Sequence, residues 1–180
     1  MAIFGHAAVG IALGRAYQGR ADVPLLPACA AGIALAALPD LDFFGAWFGA
    51  EYGTDWGHRG FTHSFLFAAV VALLIGWIAG RCGLPRAWTA LIAGLALASH
   101  GLLDTLTNGT NGPALLWPFS SARFQAPIRP VLVAPLGWAY FGSAGMRSLV
   151  RELLLFWPFL LYAVYPRGSQ VGGVASTDCN

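Results

Sequence analysis

The sequence predicts an all-α fold: a polytopic membrane helix bundle with about five to six spanning or half-spanning helices. Composition is the first reason, because 57% of the 180 residues are hydrophobic and only 10% are charged. The mean hydropathy of +0.64 also lies outside the usual range of soluble domains. The second reason is a series of apolar runs between short polar stretches, at residues 3–13, 23–38, 61–80, 87–103, 131–144 and 149–165.

Each run is expected to be helical. Glycine and alanine are frequent in the runs, and small residues let membrane helices approach closely. Runs 61–80 and 87–103 come nearest to the roughly 20 residues that cross hydrocarbon. The shorter runs are expected to be tilted, re-entrant or packed inside the bundle.

The polar stretches between and after the runs complete the predicted organisation. Residues 49–60 and 108–130 are long loops of the kind that often carry function. The polar, small-residue-rich segment 167–180 is expected to be a disordered tail. Residues 1–166 are therefore expected to form one membrane-embedded domain.

The positive charges are arginines scattered singly or in pairs, which gives topology information and no nucleic-acid footprint. No nucleic-acid partner is expected. If the runs alternate across a membrane, one side receives Arg15, Arg20, Arg81, Arg86, Arg147 and Arg151. The other side receives Arg59, Arg123, Arg129 and Arg167. The positive-inside rule makes the first side cytoplasmic.

The same alternation collects seven ligand-type residues on the opposite, outward-facing side. They are His6, Asp40, Asp42, His58, His63, His100 and Asp104. A buried polar group without a partner costs about 2–7 kcal/mol, and a bound metal ion is a common partner for such a set. This convergence predicts one metal site on one side of the membrane.

Local spacing suggests individual roles in this site. Asp40 and Asp42 follow an apolar run in LPDLD, and at i, i+2 they point in different directions. We assign Asp40 to the metal and Asp42 to catalysis, as a residue that orients a ligand or accepts a proton. The alternative is that one of the two caps the following helix.

The histidines are assigned as metal ligands by similar arguments. His58 and His63 lie close together in HRGFTHS, where a flexible glycine lets both imidazoles converge on one point. His100 and Asp104 are i, i+4 on one helix face, about 5–6 Å apart at Cβ. Asp104 could instead only receive the His100 N–H and fix its tautomer. His6 is assigned with them because it lies on the same side, although a lone histidine on an apolar helix is more often a packing residue.

Mixed imidazole and carboxylate ligands suit a divalent ion, Zn or Mn first, with one or two ions per chain. Such an ion generates hydroxide near neutral pH and polarises a phosphoryl or carbonyl oxygen. Arg59 is placed to meet a phosphate oxygen bidentately, and we assign it to catalysis. An equally favoured alternative makes it an anchor to lipid headgroups.

Five segments in order resemble a known family. They are the early His6, PDLD at 39–42, HRGFTHS at 58–64, SHGLLDTLTNG at 99–109 and LLWPFS at 115–120. Together they resemble the LexA-regulated, inner-membrane-bound, metal-dependent hydrolases of bacteria. The resemblance covers roughly residues 1–125. It implies a multi-pass protein of the bacterial inner membrane whose His and Asp residues bind metal for hydrolysis.

The expected function is therefore a membrane-integral metal-dependent hydrolase that acts on a phosphoester or related bond in a lipid-like or envelope substrate. Membrane lipids are the expected partners, and the sequence does not indicate an oligomeric state. Two alternatives stay open. One is a metal transporter or sensor, which is ranked lower because the spans lack midplane acids and histidines. The other is a non-catalytic stress-response membrane protein with a structural metal.

Overall fold

The computed structural model describes residues 3–135 and 137–165, and these residues form a helical bundle. The helices are α1 Ile3–Ala21, α2 Leu25–Ala37, α3 Phe65–Arg81, α4 Arg86–Thr105 and α5 Ser143–Val164. Three 3₁₀ segments accompany them, at Leu38–Phe48, Phe61–His63 and Gly137–Phe141. Within the described ranges the β pairing consists of one isolated parallel bridge, between Thr107 and Val131. The all-α prediction is confirmed, and the predicted tail at 167–180 lies outside the described residues.

Fewer helices than predicted have the length and composition of a membrane span. Leu25–Gly45, which joins α2 to the 3₁₀ segment, and Arg86–Thr105 are long and apolar enough to cross a membrane. Phe65–Arg81 is equally apolar in character but shorter. Helix α5 has the length of a span, but its first half carries Arg147, Arg151 and Glu152.

The interior of the bundle is built from small residues, and the large apolar side chains point outward. Helices α1 and α2 meet through glycines: a Cβ on Gly10 would lie only 2.6 Å from the Gly32 carbonyl oxygen. The outer face of α3 exposes Leu73 and Leu74. Small residues at helix contacts and large apolar residues outside are the arrangement expected of helices that face lipid.

Helix α5 runs parallel to α1. Near the start of α1, the Gly5 amide donates to the Glu152 carboxylate at 2.9 Å. Near its end, Arg15 Nη1 donates to the Ala163 carbonyl at 2.6 Å. The beginning of α5 therefore lies at the same end of the bundle as His6.

This direction shows that the predicted side of Arg147 and Arg151 is wrong. Run 131–144 was expected to be one more alternating helix, but in its described part it forms a loop with the short 3₁₀ turn Gly137–Phe141 before α5 begins. Without this crossing, α5 runs in the direction opposite to the one predicted. Arg147 and Arg151 therefore lie at the His6 end, together with Arg59, Arg123 and Arg129. The opposite end keeps Arg15, Arg20, Arg81 and Arg86. The arginines thus favour neither orientation, and an outward-facing site stays a prediction.

Candidate metal centre

Four side chains from three parts of the fold converge at one end of the bundle. Asp40 comes from the 3₁₀ segment after α2, His63 ends the 3₁₀ turn before α3, and His100 and Asp104 lie one turn apart on α4. One ligand atom from each of the four lies within 4.8 Å of the other three. His63, His100 and Asp104 are buried and Asp40 is half-buried. The four are therefore positioned to hold a metal ion.

The separations between these atoms match those around a single ion. His100 Nε2 lies 3.2 Å from His63 Nε2 and 3.3 Å from Asp40 Oδ1. His63 Nε2 lies 3.6 Å from Asp40 Oδ1 and 3.7 Å from Asp104 Oδ2. Ligands at about 2.0–2.1 Å from a tetrahedral ion are about 3.3 Å from one another. These four separations therefore suit the ligands of one small divalent ion.

A partner at the Nδ1 atom of each imidazole directs the Nε2 atom toward the common point. His100 Nδ1 donates to the Ala36 carbonyl at 2.6 Å, which leaves its Nε2 lone pair facing the centre. His63 Nδ1 lies 3.2 Å from Asp42 Oδ2, so its Nε2 is also directed inward. Burial lowers the pKa of His63, but Asp40 and Asp42 outweigh it and raise that pKa to about 9. Without an ion this ring carries a proton, which a bound ion would displace.

Several atoms of the cluster are buried without a hydrogen-bond partner. Among them are Asp40 Oδ1, both carboxylate oxygens of Asp104 and both ring nitrogens of His6. Asp104 Oδ2 lies 2.9 Å from Arg59 Nε as an ion pair whose angles are not those of a hydrogen bond. Buried polar atoms are rarely left unpaired. A cation would satisfy the carboxylate oxygens, and the donor set of two imidazoles and two carboxylates suits Zn or Mn.

His6 lies beside the four-residue set. Its ring stacks on that of His100 with the centroids 3.9 Å apart, and its Nε2 lies 3.5 Å from Asp104 Oδ1. The preceding residue, Gly5, is held by the buried carboxylate of Glu152 on α5. Glu152 is not among the residues predicted from the sequence, although a single acid within an apolar run is itself a functional signal.

Asp42 lies behind the cluster as a hydrogen-bond acceptor. Its Oδ1 is 2.7 Å from His58 Nδ1, and its Oδ2 accepts from Thr62 Oγ1 at 2.5 Å and from the Arg59 amide at 3.2 Å. Asp42, His58 and His63 also form a group near enough to hold an ion. However, 2.7 Å is a hydrogen-bond length and is shorter than the spacing between two ligands of one ion. Asp42 therefore orients both His58 and His63.

Arg59 is buried at a positive φ of 66°, and its guanidinium contacts three neighbours. Its Nε lies 2.9 Å from Asp104 Oδ2. Its Nη1 donates to the Asn111 carbonyl at 2.6 Å, and its Nη2 donates to Thr107 Oγ1 at 3.0 Å. Its own carbonyl accepts from Arg123 Nη1 at 2.6 Å. Asn111 and Arg123 are not among the residues predicted from the sequence, because their contacts depend on how the loops fold back.

A cavity of about 310 Å³ adjoins the cluster on the side of His58 and Arg59. Its walls are formed by Phe43, Tyr52, His58, Arg59, Gly109, Thr110, Val133 and Ala134. The structure thus brings together all eight residues that the sequence singled out, with four around one point and His6, Asp42, His58 and Arg59 bordering them. The cavity borders the cluster through His58 and Arg59, whereas the four ligand candidates lie behind these two residues and do not line it.

Comparison with known proteins gives consistent names. A family model described as YdjM inner membrane protein matches residues 1–170. Inner membrane protein YbcI of Escherichia coli K12 is 42% identical over 156 residues, which cover 84% of this chain and 88% of that protein. Inner membrane protein YdjM of the same organism is 39% identical over 103 residues, which cover 51% of this chain and 48% of that protein. No solved structure matches.

Proposed function

Because the chain belongs to the YdjM family of inner membrane proteins, we propose that it is a multi-pass, membrane-integral, metal-dependent hydrolase. Its proposed substrate has a phosphoester or related bond in a lipid-like or envelope molecule. The observation that supports this most is the four-residue set with its unpaired carboxylate oxygens, one of which lies 2.9 Å from Arg59 on the wall of a cavity. A closed structural site would not need such a cavity.

Asp40, His63, His100 and Asp104 would hold one divalent ion, Zn or Mn. To act on a substrate, such an ion would need a coordination position beyond these four ligands; it would then lower the pKa of water and polarise the oxygen of the bond to be cleaved. The hydrogen bond that His100 donates to the Ala36 carbonyl and the contact of His63 Nδ1 with the Asp42 carboxylate fix the rings, which raises their strength as ligands. His6 would support Asp104 from the α1 side.

His58 is the proposed proton acceptor on the cavity wall. Its Nδ1 is taken by Asp42 at 2.7 Å, so its Nε2 is the atom left to accept a proton from the attacking water. Asp42 thereby keeps the catalytic role expected from the sequence, but it acts through His58 as an orienting carboxylate. This pairing of an imidazole with a buried carboxylate is a recurrent way to build a general base.

Arg59 has two proposed tasks. Its Nε lies against Asp104 and offsets part of the negative charge of the ligand set. It also lines the cavity, where a guanidinium can contact a phosphoryl oxygen. An additional positive charge near the leaving group would stabilise the charge that develops during hydrolysis.

The test is metal content together with hydrolysis in the purified, detergent-solubilised protein. The probes are bis(p-nitrophenyl) phosphate and a fluorogenic phospholipid, with Zn or Mn supplied. We expect hydrolysis of at least one probe, lost in His63→Ala and in Asp104→Asn together with the metal. Glu51→Gln, an exposed acid in the neighbouring loop, is the matched control and should keep both. Full metal content in both ligand variants would overturn the proposal.

Metal uptake distinguishes the main alternative. A transporter would move the ion into proteoliposomes, whereas a hydrolase would retain it at the site. Uptake that depends on His63, without hydrolysis of either probe, would replace the hydrolase by a transporter.

A further inference from the structure

An apolar groove of about 450 Å³, separate from the cavity, has Asp42 in its lining. It runs between the 3₁₀ segment Leu38–Phe48 and the start of α3. Its apolar walls include Leu38, Leu41, Phe44, Phe48, Trp56 and Phe67. Phe48 is 89% exposed and Trp56 66% exposed, so large hydrophobic surfaces line a channel that the chain itself does not fill.

The 3₁₀ geometry explains why this groove ends at the metal cluster. In a 3₁₀ segment, side chains three residues apart lie on one face. Leu38, Leu41 and Phe44 therefore form one wall of the groove, while Asp40 and Phe43 share the face toward the centre and its cavity. Asp42 lies at the inner end, where its carboxylate is 3.2 Å from His63 Nδ1. One short segment thus carries both a hydrocarbon wall and a metal ligand.

The surroundings of the groove indicate what fills it. Phe67 of α3 lines the groove, and on the same helix Leu66 and Val70 are exposed. In an inner membrane protein, lipid covers such a face. Asp42 is the one charged residue among the described residues that line the groove, and its oxygens already accept hydrogen bonds. A hydrocarbon chain needs no polar partner and can enter sideways from the bilayer.

We propose that this groove holds one hydrocarbon chain of a membrane amphiphile and presents its headgroup to the metal cluster at the Asp42 end. The inference rests on the proposed hydrolase function and names its substrate class: a lipid that enters laterally from the leaflet. The cavity beside His58 then receives part of the headgroup. The aromatic rings of Phe44 and Trp56 hold the chain through apolar contact.

The test is photolabelling of the full chain in vesicles of phosphatidylethanolamine and phosphatidylglycerol. A small fraction of the phosphatidylglycerol carries a diazirine on one acyl chain, and labelled residues are mapped by mass spectrometry. Bulk lipid labels the exposed Leu73 and Leu74 on the outer face of α3, which gives the reference level. We expect about tenfold more label on Phe48 and Trp56, the factor that about 1.4 kcal/mol of extra binding produces.

A filled groove provides the decisive variant. A Cβ on Gly45 meets only Ala50 Cβ at 3.4 Å and the Trp56 carbonyl at 3.8 Å, and Gly45 lines the groove, so Gly45→Leu is the variant designed to fill it. It should reduce the groove label to the reference level. Ala87→Leu adds the same side chain at the far end of the bundle and should leave the label unchanged. If Gly45→Leu does not fold, Phe48→Gln makes the exposed wall polar and should have the same effect.

Equal labelling of the groove and the outer face, or groove label that survives both variants, would overturn the proposal. Measuring metal content in parallel separates this result from the hydrolase function. Groove label without bound metal would contradict the hydrolase and keep the lipid site. Bound metal and hydrolysis with uniform label would keep the hydrolase and contradict the lipid site.

Discussion

Replacing Asp42 by asparagine tests whether this residue orients ligands or is itself a ligand. Its carboxylate contacts His58 Nδ1 at 2.7 Å, Thr62 Oγ1 at 2.5 Å and His63 Nδ1 at 3.2 Å. An asparagine keeps the shape but loses the charge and one acceptor oxygen. His63 would then be held less firmly and would be a weaker ligand.

The expected magnitude follows from this indirect position. Loss of a partner behind a metal-binding histidine typically weakens metal binding 10- to 100-fold, or about 1.4–2.8 kcal/mol. His63→Ala removes a ligand atom and should cost more than Asp42→Asn. The assay is competition for Zn against a chromophoric chelator in detergent, with Glu51→Gln as the control. Unchanged affinity in Asp42→Asn, or a loss equal to that of His63→Ala, would refute the assigned role.

Four further predictions concern protonation and packing. Between pH 6.5 and 9, metal binding should release the His63 proton, because the pKa of His63 is raised to about 9. Calorimetry in two buffers of different ionisation enthalpy would detect the released proton. No proton release at pH 7.5 would contradict this prediction. The same raised pKa stabilises the metal-free fold below pH 6.5, and this contribution should disappear as the pH rises through about 9. Glu152→Ala should lower the free energy of unfolding by about 1–3 kcal/mol, because the buried Gly5 amide of α1 loses its acceptor. An unchanged unfolding curve in mixed micelles would count against this prediction. Gly32→Val should lower the free energy of unfolding by about 1–3 kcal/mol or more, because the added side chain forces α1 and α2 apart. Gly45→Ala should have little effect on that free energy, because the added Cβ has no neighbouring atom nearer than 3.4 Å.

The grouping of site residues was accessible from the sequence because it depends on periodicity and on the cost of buried charge. His100 and Asp104 share a face through helical spacing alone. The i, i+2 spacing of Asp40 and Asp42 predicts that the two carboxylates point in different directions. In the 3₁₀ segment they do, because Asp40 faces the ligand cluster and Asp42 faces His58 and Thr62. The contacts that distinguish their roles come from residues 58–63, which are distant in sequence, so the pattern itself could not supply them.

The errors arise where a hydrophobic run is not a helix. Residues 131–144 are apolar, but Pro135 lacks an amide donor and Gly137 has a positive φ of 64°, which favours a loop. Counting this run as a crossing reversed the assigned direction of α5. The contact between Glu152 and Gly5 follows from the parallel packing of α1 and α5, and no local pattern indicates that packing.

The most direct test of the central claim is elemental analysis of the purified chain and of His63→Ala, each supplied with Zn and Mn. We predict about one divalent ion per wild-type chain, because the four ligand atoms surround a single point. The variant should lose most of that metal. A wild-type chain without metal, or equal metal in both proteins, would contradict the proposal that Asp40, His63, His100 and Asp104 form a metal centre.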